Sequence, residues 1–194
     1  VLPLHKEINC ILWQNGYSCS YFTAKMAEQK KGQITRKIGI TDNAACRSVY
    51  DPATKIVYST YLAQDNSGQA RDDFYRHIEN LVHFAGQYPV RGILADLRQF
   101  SGQVLHALEY LEKEVIPVMK ARGLTCEAFL SSHDSRLRQL CLQLTAMQNR
   151  QGVEAKLFYL HADAAAWVAA TVNNHYSPVV GAEPAGEGGS GQKL

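Results

Sequence analysis

The sequence predicts an α/β domain: an opening β-hairpin, then alternating strands and helices, giving a mixed, mostly parallel four- or five-stranded sheet with helices packed on it. Three observations carry this. Two runs of β-branched and aromatic residues, 45–50 and 55–62, flank Asp51-Pro52-Ala53-Thr54, where proline presets φ for a turn. Short apolar runs then alternate with stretches at helical spacing, and strands separated by helices pair in parallel. The connections are short, as such units require.

Each element has its own signal. Ser67-Gly68 opens a helix in which Phe74, Ile78, Leu81, Val82 and Ala85 form the apolar stripe. Asp72, Asp73, Arg76 and Glu79 fall on its other face, and the two aspartates suit the positive end of the helix dipole. Gly86 and Pro89 stop it. Val90 to Leu97 reads as a strand buried on both faces. A helix follows from about Gln103 to Ala121, with the stripe Val104, Leu108, Leu111, Val115 and Val118 or Met119. Pro117 should kink it, and Gly123 suits the position just past its end. Thr125 to Ser131 is the next strand, and Asp134 caps a helix carrying Leu137, Leu140, Leu144 and Met147. Val153 to Leu160 is the last strand, and Asp163 caps a closing helix through Trp167 and Val168. Helices are thus expected to start near residues 69, 102, 134 and 163.

The ends differ from this body. Residues 1–44 show no clear period and are expected to form a poorly ordered extension, with Met26 a candidate start. Residues 177–194 are rich in glycine and proline and read as a disordered tail, which leaves 45–176 as the domain. Residues 1–44 hold six basic and three acidic side chains, whereas 45–174 hold thirteen of each. A neutral body argues against a nucleic-acid partner, which needs a basic patch. The five cysteines, Cys10, Cys19, Cys46, Cys126 and Cys141, are odd in number and widely spaced. With no CxxC among them they suggest free thiols and a reducing compartment, with the cytoplasm as the default. No apolar run approaches the ~20 residues of a membrane span.

No motif for an enzyme is present. GxSxG and Walker A sequences are missing, and no GxGxxG follows a predicted strand and opens a helix. Ser131, Ser132, His133 and Asp134 are adjacent, so they read as a helix-capping turn and not as a converging triad. His77, His83, His161 and His175 lack metal-ligand spacing and are expected at the surface or rim. No cofactor is expected. Asp96 stands at the C-terminal end of a parallel strand, where ligands bind at a reversal of strand order. It either binds there or pairs with Arg98 or a neighbouring loop.

Three segments together resemble the STAS superfamily, the SpoIIAA-like domains, in its stand-alone bacterial type. They are Gly92-Ile-Leu-Ala-Asp-Leu-Arg, Cys126-Glu-Ala-Phe-Leu-Ser-Ser-His-Asp and Lys156-Leu-Phe-Tyr-Leu-His-Ala-Asp-Ala-Ala-Ala-Trp. The resemblance covers residues 45–170. It implies a non-enzymatic regulatory or protein-interaction module whose contact surface is the loop Asp96, Arg98, Phe100, Ser101 and Gly102. The family's phosphorylated switch has Asp before its Ser or Thr. Here Phe100 precedes Ser101, so recognition by shape and charge is expected. Phe100 either stands exposed as an aromatic anchor or folds back into the core. The alternative function is a carrier of a small apolar molecule or lipid with a CRAL-TRIO-like layout, which needs a cavity of ~300–1,000 Å³. The sequence names neither the partner nor the oligomeric state.

Overall fold

The computed structural model describes residues 36–62, 68–101 and 107–176. The chain divides into two units, Val1–Arg36 and Lys37–Leu194, and the described elements belong to the second. The readings for residues 1–35 and 177–194, for Cys10, Cys19, Met26, Gly102 and Val104, and for a helix start near 102 lie outside the described residues.

The elements run β1 (Ile38–Asp42), β2 (Cys46–Asp51), β3 (Ile56–Tyr61), α1 (Gly68–Ala85), β4 (Gly92–Asp96), α2, β5 (Cys126–Leu130), α3 (Ser135–Arg150), β6 (Glu154–Phe158) and α4 (His161–Tyr176). Helix α2 comprises Leu108–Tyr110, a π-helical turn at Leu111–Val115 and Ile116–Ala121. All six strands form one sheet in the order β1-β2-β3-β4-β5-β6. The pairs β1–β2 and β2–β3 are antiparallel, and the remaining three are parallel, with Ile56, Gly92, Cys126 and Glu154 level across the sheet.

The expected class therefore holds, with one strand more than four or five. The extra strand is β1, which lies within residues 1–44, expected to fall outside the domain. Ile38 and Ile40 pack against the core from this edge, and a bulge between Gly39 and Thr41 shifts the register. The bulge also turns Thr41 inward directly after Ile40, so that its Oγ1 meets His77 Nδ1 at 3.2 Å.

The strand order never reverses. Right-handed crossovers between successive parallel strands then place α1, α2 and α3 on one face. Their residues Phe74, Ile78, Val115, Met119, Leu137 and Cys141 share a core with Val57, Ile93 and Phe129. Helix α4 follows the last strand and covers the other face, where Ala164, Val168 and Val172 meet Ile56, Leu94, Cys126 and Ala128. Gly92 permits this approach. A Cβ there would stand 2.7 Å from Val168 Cγ1 and 2.9 Å from Val172 Cγ2, closer than carbon atoms pack.

Local chemistry sets the boundaries. In the β2–β3 turn Ala53 N donates to Asp51 Oδ1 at 2.9 Å and Lys55 N to the Asp51 carbonyl at 2.8 Å. Lys55 closes that turn in the left-handed region, at φ 60°, so β3 begins at Ile56. The π turn of α2 immediately precedes Ile116-Pro117. Proline donates no N–H and crowds the carbonyl four residues back, and a wider turn relieves that crowding. The stripe continues through Met119, while Val118 is exposed. Gly123, at φ +102°, ends the helix, and Leu124 N donates to the Met119 carbonyl at 3.0 Å.

Asp134 caps α3 as its sequence position predicts. It has extended backbone, φ −61° and ψ 128°, and its Oδ1 accepts from Arg136 N at 3.0 Å and Leu137 N at 2.9 Å. Asp134→Ala should lower unfolding free energy by about 1 kcal/mol with an unchanged urea slope. An unaltered urea midpoint would show that the cap adds nothing. Asp163, by contrast, lies inside the first turn of α4, which starts at His161. Asp72 and Asp73 lie beyond the first turn of α1. Asp73 is buried, where it accepts from Gln69 Nε2 at 2.9 Å and pairs with Arg76 Nη1 at 3.5 Å.

Candidate functional site

The C-terminal ends of β4, β5 and β6 lie side by side. Leu97 N donates to the Leu130 carbonyl and Ser131 N to the Phe158 carbonyl, both at 2.9 Å. The rim they form carries the residues read from the sequence. Asp96 is buried and engaged by its own loop. Its Oδ1 accepts from Arg98 N at 3.1 Å and Arg98 Nε at 3.0 Å, and its Oδ2 from Arg98 Nη2 at 2.7 Å. A fork-on-carboxylate pair of this kind fixes the turn. The strand order does not reverse at β4, so the switch point at which open sheets bind ligands does not fall at this strand end, and the Asp96 carboxylate is engaged by Arg98.

Phe100 is 7% exposed and packs edge-on to Tyr61 at 6.3 Å. The exposed-anchor reading is corrected. Phe100 N donates to the Leu97 carbonyl at 2.8 Å, and this tight turn leads the ring back to the core. Arg98, Gln99 and Ser101 keep their exposure. Further along the rim Ser131 is buried and its Oγ donates to the Ser132 carbonyl at 3.0 Å. His133 stacks on Tyr159 with centroids 5.1 Å apart and planes 10° apart. Ser131, His133 and Asp134 thus have separate partners, in keeping with a capping turn. Beyond Tyr159, Leu160 is 63% exposed. No sequence pattern singled out Tyr159 and Leu160, because they end what reads as one continuous strand.

Two groups of buried polar side chains lie deeper, on the face covered by α1–α3. His77 is fully buried, not at the surface or rim as expected. Its Nδ1 lies 3.2 Å from Thr41 Oγ1 and 3.4 Å from Ser48 Oγ, and its Nε2 lies 3.3 Å from Tyr61 OH. Ser48 Oγ shares a further bond with Ser59 Oγ at 3.0 Å. Burial pulls the His77 pKa down to about 4 and pushes the Tyr61 hydroxyl well above its ordinary value. Both groups are therefore neutral near pH 7. The signal was available in the sequence. His77 lies three residues after Phe74 and four before Leu81, on the apolar stripe itself.

Glu127 is the second case. It points from the second position of β5 into the helix-covered face and accepts from Gln148 Nε2 of α3. Burial raises its pKa to about 8. A cavity of about 70 Å³ adjoins the pair, with walls that include Tyr61, Ile93, Leu111, Met119 and Phe129. That is well below the ~300–1,000 Å³ expected of a carrier of drug-sized or lipid ligands.

The three described cysteines, Cys46, Cys126 and Cys141, are buried free thiols. Burial raises Cys46 to about 11 and Cys126 to about 12, so neither supplies a thiolate at neutral pH. Among the described residues no group of His, Cys, Asp and Glu could hold a metal ion. No described helix is long and apolar enough to cross a membrane.

No family model and no curated protein matches the chain. Among solved structures it is similar to an uncharacterized protein of the DUF3478 family with a SpoIIAA-like fold, from Shewanella loihica PV-4. The identity is 15%, over 69% of this chain and 92% of that one, with a TM-score of 0.41. The α/β class itself follows from the strand order and crossovers described above.

Proposed function

We propose that this domain is a non-enzymatic regulatory module of STAS type that binds a protein partner at the rim of strand ends. One observation carries the reading: Leu160 is 63% exposed beside the Tyr159–His133 stack, at the same sheet edge as the Arg98 loop. Aromatic and arginine side chains grouped with an exposed aliphatic residue are the composition of an interface centre. Phe100 precedes Ser101 where the family's switch has Asp, so charge and shape at Arg98 and Leu160 select the partner. Phe100, being buried, is a packing residue of this loop.

The test is retention of a partner by the full chain from extracts of its native cell. Leu160→Asp places a charge at the contact, and Arg98→Glu reverses one. Each should reduce retention about tenfold or more, with the thermal midpoint of Leu160→Asp near that of the parent and that of Arg98→Glu lowered by the loss of its pair with Asp96. Equal retention by both variants would remove the rim from consideration as the contact surface.

A further inference from the structure

Among the described residues β6 is the last strand of the sheet and pairs with β5 alone. Glu154 N donates to the Thr125 carbonyl and Ser131 N to the Phe158 carbonyl, both at 2.9 Å. In a parallel ladder the residues that bond one neighbour alternate with those that face the other side. Glu154, Lys156 and Phe158 therefore bond to β5, while Ala155 and Leu157 turn their backbone N–H and C=O to the outer edge. Such an edge is a template for a further strand.

At Ala155 the template is already filled. Asn149 Oδ1 accepts from Ala155 N at 2.9 Å, and Asn149 Nδ2 donates to the Ala155 carbonyl at 3.2 Å. One side-chain amide thus makes the two bonds that a residue of a neighbouring strand would make. The turn after α3 sets this up. Gly152, at φ +77°, and the bond from Val153 N to the Gln148 carbonyl at 3.1 Å fold the chain back, so that β6 runs past the last turn of α3.

The filled position is also the centre of a self-complementary stretch. An antiparallel copy of β6 centred on Ala155 would set Glu154 opposite Lys156 of the copy, and Lys156 opposite its Glu154. Both side chains are exposed and lie on one face, 3.6 Å apart. Opposite charges directly across a strand pair favour that register, and Leu157 would meet Val153 across it. A second copy of this chain is therefore the occupant that the edge fits.

We propose that the Asn149 amide keeps two copies of this chain from joining β6 to β6 in one continuous sheet, by occupying the backbone groups at the centre of that pairing. The inference concerns the outer edge of β6 and does not depend on the rim being the partner surface.

Sedimentation velocity of the full chain under reducing conditions, over a range of concentrations, tests this. Asn149→Ala should self-associate to a dimer at least about tenfold more tightly than the parent. Ala155→Pro removes the N–H at the centre of the pairing, and proline is tolerated on an edge strand. The double variant Asn149→Ala/Ala155→Pro should therefore sediment like the parent. A single variant that sediments like the parent, or a double variant that dimerises as the single one does, would overturn the proposal. Amide hydrogen exchange of the parent gives a reading that needs no variant. The Ala155 amide should exchange at least about tenfold more slowly than that of Leu157, which faces the same edge two residues on. Equal exchange at the two positions, after correction for intrinsic rates, would overturn it as well.

Discussion

Glu127→Gln should be more stable than the parent at pH 8, by an amount on the order of 5 kcal/mol relative to their difference at pH 4. The carboxyl titrates near its ordinary value of 4.5 when unfolded and near about 8 in the fold, because burial penalises the charged form. Between those values the folded chain binds more protons than the unfolded chain. Stability therefore falls as pH rises from 4.5 to about 8 and levels off above it. Each tenfold change in proton affinity is worth about 1.4 kcal/mol, which sets the magnitude. Gln keeps the shape and cannot ionise, so the variant should lose this slope. Urea unfolding of both proteins at several pH values gives the answer. Parallel profiles would mean that Glu127 does not remain protonated in the fold.

His77→Phe should cost about 3 kcal/mol near pH 7, because it leaves the buried Tyr61 hydroxyl and the half-buried Thr41 hydroxyl without their partner. Its pH signature is opposite to that of Glu127. The imidazole titrates near 6.5 when unfolded and near about 4 in the fold. The unfolded chain then binds more protons in that window, so the His77 contribution is lost as pH falls from 6.5 to about 4. In the parent the two slopes oppose each other between pH 4.5 and 6.5, and their sum is a flat region. Replacing His77 removes one of them. The variant's stability should then fall steadily as pH rises from 4.5, following Glu127 alone. A flat profile in the variant would show that some group other than His77 balances Glu127.

The parallel half of the sheet was legible because its strands are short apolar runs bounded by turn chemistry. Ile93-Leu94-Ala95 and Ala128-Phe129-Leu130 are buried on both faces, and a local composition signal survives such burial. Asp134 was legible because a cap is a local device. Strand β1 was not. Ile38-Gly39-Ile40-Thr41-Asp42 interrupts its alternation with a bulge and follows a basic stretch, and what makes it a strand is its pairing with β2. The exposure of Phe100 was open for the same reason, since the sequence around it is polar whether the ring turns in or out. Glu127 left a trace in the sequence, a single charge inside an apolar strand. Its meaning depended on Gln148, twenty-one residues away. The rim at Tyr159 and Leu160 required the level register of β5 and β6, which no single segment specifies.

Amide hydrogen exchange of the full chain, alone and with the retained partner, tests binding at the strand-end rim most directly. Protection should rise at residues 98–101, 131–134 and 159–161 and stay unchanged along β1 and β2. Protection that instead rises on β1 and β2, with the rim residues exchanging as before, would contradict the account.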